Sequence, residues 1–278
     1  MAQIECVNVF KKQKRLYHRI FQERKLNMRF HFLQPILLVA VLFVLTGPGF
    51  SEEPAKPTSR TLHTLEGWQV FVDDRLFETE NSELGERALR LLSNALFNIA
   101  FKVPENRVEK LRQVKIFLDL SHGKLTSAQY HPSARWLTDN GYDAELAKSV
   151  HIPVAASFAS KNTQHVQPWM VLHELAHAYH DQFLENGFEN KPIRQLWQAT
   201  IESGKYEQTL HINGNTTKHY ALTNPMEFFA EMTESYFGQN DFYPFVRGEL
   251  KADYPECYEL IQEIWEGPVP DIAAYNNQ

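Results

Sequence analysis

The chain has 278 residues, of which 43% are hydrophobic, 13% aromatic and 22% charged, and its formal net charge is -6. These values are typical of a globular protein with a substantial core. The net charge gives no basic footprint, which argues against nucleic acid as a partner. With only two cysteines, Cys6 and Cys257, a disulfide scaffold is excluded, and any metal ion must be held by nitrogen and oxygen ligands.

The first fifty residues are predicted to be a targeting segment. A basic stretch, residues 11–29, precedes an apolar run at residues 35–45, and small residues follow the run. These are the three parts of a secretory signal, so residues 1–51 are predicted to be a signal-peptide region of a secreted or periplasmic protein. The run is shorter than the roughly 20 residues that span a bilayer, and an uncleaved membrane anchor is the alternative. If Met28 is the true start, residues 1–27 are a mis-assigned upstream extension.

Residues 52–60 are polar and carry two prolines, which predicts a linker. A single domain is expected to fill residues 61–278. Within it, the β-branched and aromatic content of residues 67–72 predicts a strand. Apolar residues at three- and four-residue steps predict an amphipathic helix over residues 83–101.

Pro104 ends this helix, and a short helix near residues 108–113 is predicted to lead into a strand at residues 114–120. Residues 150–158 also have extended character, and Pro153 favours an edge position because proline cannot donate to a strand ladder. An exposed edge can accept an extended peptide through backbone hydrogen bonds. A strand that only closes the sheet is an equally good interpretation. The order of elements predicts an α+β fold with a small mixed sheet.

The next helix carries the pattern His173-Glu174-Leu175-Ala176-His177. Apolar residues at helical spacing surround the pattern, so the two histidines project from one face and the glutamate leans toward the same point. Two imidazoles and a carboxylate in this arrangement form half of a zinc-hydrolase site. Because a chain with 12 histidines can contain the pattern by chance, a third ligand is required.

His180 is not that ligand, because it lies seven residues beyond His173, about 10 Å along a straight helix. The longer pattern with a glycine and a third histidine also fails, since the chain has His180 and Phe183 at those two positions. The third ligand must therefore come from another part of the chain. A carboxylate on a second helix is the remaining solution.

A second helix is predicted to begin with the Asn-Pro pair at residues 224–225 and to end before Gly238. Glu227, Glu231 and Glu234 fall on one face of it at intervals of four and three residues. Glu227 and Glu231 are the candidates for the third ligand.

Each glutamate also has a structural interpretation. Glu227 lies three residues after the N-cap, where a glutamate can close a capping box. Glu231 and Glu234 can belong to a solvated helix face, and for Glu234, nearer the helix end, that is the interpretation we prefer.

The first motif, together with Tyr220 and, seven residues later, Glu227-Phe228-Phe229-Ala230-Glu231, resembles the gluzincin metallopeptidases. The resemblance is greatest to the catalytic domain of anthrax toxin lethal factor and related secreted peptidases, and it covers residues 150–240. It implies a zincin-like fold with an active-site helix and a second, ligand-bearing helix. The roles that the resemblance implies are zinc ligands for His173, His177 and Glu227, general base for Glu174, a place near the developing oxyanion for Tyr220, and support of the ligands for Glu231.

The chemistry of these residues agrees with the implied roles. Two neutral imidazoles and one carboxylate leave Zn²⁺ with an open position, which predicts one catalytic Zn²⁺ per chain. Glu231, one turn beyond Glu227, is expected to hold the second nitrogen of a ligand histidine and to fix its tautomer. His219 can replace Tyr220 beside the oxyanion, although an ordinary loop histidine is the favoured interpretation.

The predicted function is that of a secreted zinc metallopeptidase acting on a peptide or protein substrate. A non-catalytic secreted binding domain on the same scaffold is one alternative, and the intact Glu174 argues against it. A zinc hydrolase of a non-peptide bond is the other alternative.

Overall fold

A computed structural model describes residues 53–268, so the predicted signal-peptide region and Met28 lie outside the described residues. Within the described range, no helix is both long enough and apolar enough to cross a membrane. The architecture is α+β, as predicted: a small mixed sheet is covered by helices.

The main sheet contains β1 (Arg60–Leu65), β2 (Trp68–Asp73), β3 (Ile116–Leu118), β4 (Gln129–Tyr130) and β5 (Val150–Ile152). Their spatial order is β1-β2-β3-β5-β4. The two outer pairs are antiparallel, and the two inner pairs are parallel. β1 is not among the predicted strands, and its first residue, Arg60, is the last residue of the predicted linker. A two-residue turn, Glu66-Gly67, joins β1 to β2 with φ of 51° and 90°, which is typical of the tight turns in β-hairpins.

The helices are α1 (Ser82–Lys102), α2 (Glu105–Leu111), α3 (Ala134–Asp139), α4 (Ala155–Phe158), α5 (Lys161–Val166), α6 (Met170–Phe183), α7 (Lys191–Glu202), α8 (Pro225–Phe237), α9 (Arg247–Asp253) and α10 (Pro255–Glu266). β6 (Thr209–Leu210) and β7 (Thr216–Thr217) form a small antiparallel hairpin. The apolar face of α1 and the buried side of α6 share one hydrophobic core with β2 and β3. Phe117, Leu137 and Leu146 form a smaller cluster.

Two predictions around β5 are wrong. The strand ends at Ile152, and residues Ala155–Phe158 are helical rather than extended. β5 is also not an edge strand, because it lies between β3 and β4. Pro153 does not interrupt a ladder, since the chain leaves the sheet at that residue and Ala155 N donates to Asp119 O at 2.8 Å. The sheet edge next to β5 is β4, which has only two residues and therefore no detectable sequence period.

The two ends of α8 are as predicted. Asn224 Oδ1 accepts a hydrogen bond from Glu227 N at 2.8 Å, and Gly238 follows the last helical residue. A Cβ atom at Gly238 would overlap the indole of Trp169, which immediately precedes α6. Glycine at this position therefore lets the end of α8 approach the start of α6. The two helices pack against each other, and this packing positions the site.

Candidate metal centre and active site

His173 and His177 on α6 face Glu227 on α8. Glu227 Oε2 lies 3.0 Å from His173 Nε2 and 3.3 Å from His177 Nε2. The spacing of four residues aligns the imidazoles on one side of α6, and the Asn224 cap places the first turn of α8 opposite them. The structure thus brings together the three residues that the resemblance implies as ligands. The Glu227 side chain points to the histidines, whereas a capping box would turn it back to the helix start.

The donor set fits a zinc ion. Two imidazole nitrogens and one carboxylate oxygen converge, and zinc is commonly held by such a set in catalytic sites. Burial alone would raise the pKa of Glu227, but the hydrogen bonds with His173 and His177 outweigh it and hold that pKa well below its usual range. Glu227 is therefore ionised near neutral pH, as a metal ligand must be.

The second nitrogen of His173 contacts Glu234, not Glu231. His173 Nδ1 lies 2.7 Å from Glu234 Oε1, a hydrogen-bond distance, and 3.8 Å from Glu231 Oε1. The expectation that Glu231 makes this contact is corrected, because seven residues along α8 bring Glu234 opposite the ring. The prediction of a solvated Glu234 is also wrong, since the residue is 4% exposed. A carboxylate on Nδ1 selects the tautomer in which Nε2 is free to bind a metal.

Glu231 occupies a buried position between His173 and His219. Its Oε2 is 3.7 Å from His219 Nδ1 and has no hydrogen-bond partner among the described residues. Burial, together with the neighbouring Glu234 charge, raises the pKa of Glu231 well above its usual value. A protonated Glu231 beside Glu234 lowers the cost of burying two carboxyl groups close together.

Glu174 is held by strand β4. Its Oε2 accepts a hydrogen bond from Tyr130 N at 2.7 Å. Burial raises the pKa of Glu174, and the nearby His173 and His177 oppose that rise. A carboxylate that holds a proton more firmly than usual is suited to general-base work. Tyr130 had no predicted role, because no motif signals a backbone donor.

Tyr220 lines the same cavity as the three ligand candidates and Glu174, and it is 47% exposed. The cavity has a volume of about 790 Å³. His219 is not an ordinary exposed loop histidine: it is buried, stacks on Phe242 at 4.8 Å, and accepts from Ala221 N at 3.1 Å. It therefore caps the short helical turn that carries Tyr220 and does not line the cavity.

A second buried group of histidines surrounds Asp119. Arg60 binds both carboxylate oxygens at 2.8 and 2.9 Å, while His122 Nδ1 and His151 Nε2 lie 2.7 and 2.8 Å from Oδ2. His131 Nε2 extends the chain to His151 Nδ1 at 3.2 Å. These are hydrogen-bond distances, and the Arg60 charge already balances the carboxylate. The group is a structural network that joins β1, β3 and β5, and sequence reasoning missed it because its members come from separate elements.

His180 lies in the core behind the site. Its ring is edge-on to Phe188 and Phe229 at 5.2 Å, and neither ring nitrogen has a hydrogen-bond partner within residues 53–268. This burial, with a small contribution from the His177 charge, lowers the pKa of His180 to about 3. The position agrees with its exclusion as a ligand.

His180 is expected to make the zinc-free protein acid-labile. The unfolded chain binds this proton near pH 6.5 and the folded chain only near pH 3, so stability falls as the pH drops between these values, by about 2 kcal/mol at pH 5. His180→Leu removes this group. The free energy of unfolding of the variant, relative to that of the native chain, should therefore rise by about 2 kcal/mol when the pH is lowered from 7.5 to 5. Urea unfolding in a chelator measures the gain. The exposed His165→Leu is the control, and equal slopes for both variants would contradict the assignment.

The domain is similar to known proteins over most of its length. A family model described as "Anthrax toxin lethal factor, N- and C-terminal domain" matches residues 81–264. A search of curated proteins gives no match. Among solved structures, the chain is similar to the Pro-Pro endopeptidase (PPEP-2) from Paenibacillus alvei, with 18% identity, a TM-score of 0.40, and coverage of 73% of this chain and 100% of that chain. The family match confirms the resemblance predicted from the two motifs.

Proposed function

The chain belongs to the anthrax toxin lethal factor family and is a zinc metallopeptidase, and from that premise we propose that it is an exported endopeptidase with its active site between α6 and α8. The observation that carries the proposal is that His173, His177, Glu227 and Glu174 line one cavity. His173, His177 and Glu227 would hold one Zn²⁺ per chain. Zinc supplies Lewis acidity there, which polarises a carbonyl group and lowers the pKa of water.

Glu174 is the proposed general base. Its carboxylate takes a proton from the attacking water and delivers it to the leaving amine. The Tyr130 N–H engages only Oε2, and no described residue is hydrogen-bonded to Oε1. One oxygen therefore anchors the side chain, and the other is available for the proton.

Tyr220 is the proposed hydrogen-bond donor to the substrate carbonyl oxygen. Burial and the nearby Glu227 charge raise the pKa of its hydroxyl, so the group stays protonated at neutral pH. A hydroxyl that meets negative charge as it develops stabilises the transition state. Its partly exposed position on a short helical turn leaves the ring accessible from the cavity.

The substrate is a peptide or protein segment. β4 is the edge strand beside α6. The Tyr130 N–H on this edge is bonded to Glu174, and the Tyr130 carbonyl oxygen on the same side can accept a hydrogen bond from an extended peptide. Export is proposed from the basic stretch, the apolar run and the small residues of the first 51 positions.

Peptide-library cleavage tests the proposal. The chain is expressed at full length and recovered from outside the host cell, where N-terminal sequencing should find a start near residue 52. The purified protein should contain about one zinc per chain and cleave a subset of peptides. Removal of zinc with a chelator should abolish cleavage, and stoichiometric zinc should restore it. Zinc without cleavage of any library would contradict the peptidase assignment and favour a non-catalytic binding domain on the same scaffold.

A further inference from the structure

Tyr130 contacts the active-site helix at two points. Its backbone N donates to Glu174 Oε2 at 2.7 Å, and its hydroxyl donates to Asp181 Oδ2 at 2.6 Å. Glu174 and Asp181 are seven residues apart, or about two turns of α6. A single residue of β4 therefore contacts α6 on both sides of His177, beginning one residue after His173.

The backbone of Tyr130 faces the free edge of the sheet. Both backbone groups of its neighbour His131 bond the residues that immediately precede β5. His131 N donates to Ser149 O at 3.1 Å, and Lys148 N donates to His131 O at 2.7 Å. Since backbone groups alternate sides along an antiparallel strand, the Tyr130 N–H points outward. The outward Tyr130 N–H is the group that donates to Glu174 Oε2.

Asp181 is fixed as the acceptor for the Tyr130 hydroxyl. Lys148 Nζ donates to the same Asp181 Oδ2 at 2.5 Å, and Gln182 Nε2 donates to Lys148 O at 3.3 Å. Lys148 has a positive φ of 57°, which non-glycine residues adopt only where the surroundings require it. Burial and the Asp181 bond raise the pKa of the Tyr130 hydroxyl, so it remains a donor.

We propose that Tyr130 is a positioning residue for catalysis, whose hydroxyl anchors β4 to Asp181 so that its backbone N–H holds Glu174 in the reactive orientation. The inference rests on the proposed role of Glu174 as general base. Tyr130 itself does not touch the reacting atoms. Without the hydroxyl anchor, β4 can shift relative to α6, and the Glu174 carboxylate is released from the orientation that one water molecule requires.

Tyr130→Phe tests the inference, because it keeps the ring and the backbone N–H and removes only the anchor. We expect kcat to fall about 10-fold, since misplacement of a catalytic group by about 1 Å is costly, with KM and zinc content unchanged. Asp181→Ala should repeat this loss. Asp181→Asn, which keeps an oxygen acceptor, should retain most of kcat.

Tyr254→Phe is the matched control. Its hydroxyl bonds Thr200 Oγ1 at 2.9 Å, away from the cavity, so it should lower the melting temperature without changing kcat. The double variant Tyr130→Phe/Asp181→Ala should be no slower than either single variant if the two groups act as one unit. Native kcat in Tyr130→Phe or in Asp181→Ala, or an equal loss in Tyr254→Phe, would overturn the inference. Absence of cleavage by the native chain would instead refute the proposed function.

Discussion

Glu174→Gln is expected to lower kcat about 10³-fold, in the middle of the range for loss of a general base, while zinc stays bound. The amide has nearly the same shape as the carboxylate and cannot take a proton from water. Its carbonyl oxygen can still accept the hydrogen bond from Tyr130 N, so the side chain keeps its place. Glu174 contributes no atom to the group formed by His173, His177 and Glu227, and the zinc content should remain about one per chain.

Peptide cleavage at saturating substrate concentration measures kcat. Metal analysis of the same sample measures the zinc content. Glu86→Gln, on the exposed side of α1, is the matched control and should retain native kcat. If Glu174→Gln keeps more than a tenth of native kcat, another group is the base. If Glu174→Gln loses zinc as well as activity, Glu174 contributes to metal binding rather than to proton transfer.

The elements that hold the site were predictable where local chemistry specifies them. The Asn-Pro start and glycine end of α8 depend on backbone requirements that a few residues meet. The pairing of His173 with His177 depends only on helical periodicity. These two local patterns were sufficient to nominate the two helices of the site.

The contacts between helices were not predictable in the same way. Glu231 and Glu234 share one face of α8, and the sequence does not specify how far α8 is shifted along α6. That shift decides which carboxylate reaches His173 Nδ1, and it selects Glu234 at 2.7 Å. The burial of Glu234 follows from the same packing.

Short or long-range features left no detectable pattern. Two-residue β4 is too short for a period of two, yet it supplies the Tyr130 N–H that holds Glu174. Arg60 follows a polar, proline-bearing stretch and looked like the end of a linker. Its role is set by Asp119, 59 positions away, because a buried carboxylate requires a charged partner.

We expect three α8 variants to lose zinc affinity to different extents. The loss should be largest for Glu227→Ala, smaller for Glu234→Gln and smallest for Glu231→Ala. Glu227 supplies the oxygen at 3.0 and 3.3 Å from the two Nε2 atoms, so its removal deletes a ligand. Glu234 acts through the His173 tautomer, and loss of such a partner costs about 10- to 100-fold in affinity. Glu227→Ala should exceed that range. Glu231 is 3.8 Å from Nδ1 and should contribute least.

Competition with a zinc-binding indicator measures these affinities, and the helical signal of the zinc-free variants separates a ligand from a cap. Asn224 Oδ1 bonds the backbone N of Glu227 rather than its side chain, so Glu227→Ala leaves the α8 cap intact. We therefore expect native helix content and lost zinc in this variant. Lost helix content with retained zinc would identify Glu227 as a capping residue. A larger zinc loss in Glu231→Ala than in Glu227→Ala would move the third ligand one turn along α8, to the carboxylate that now lies behind His173.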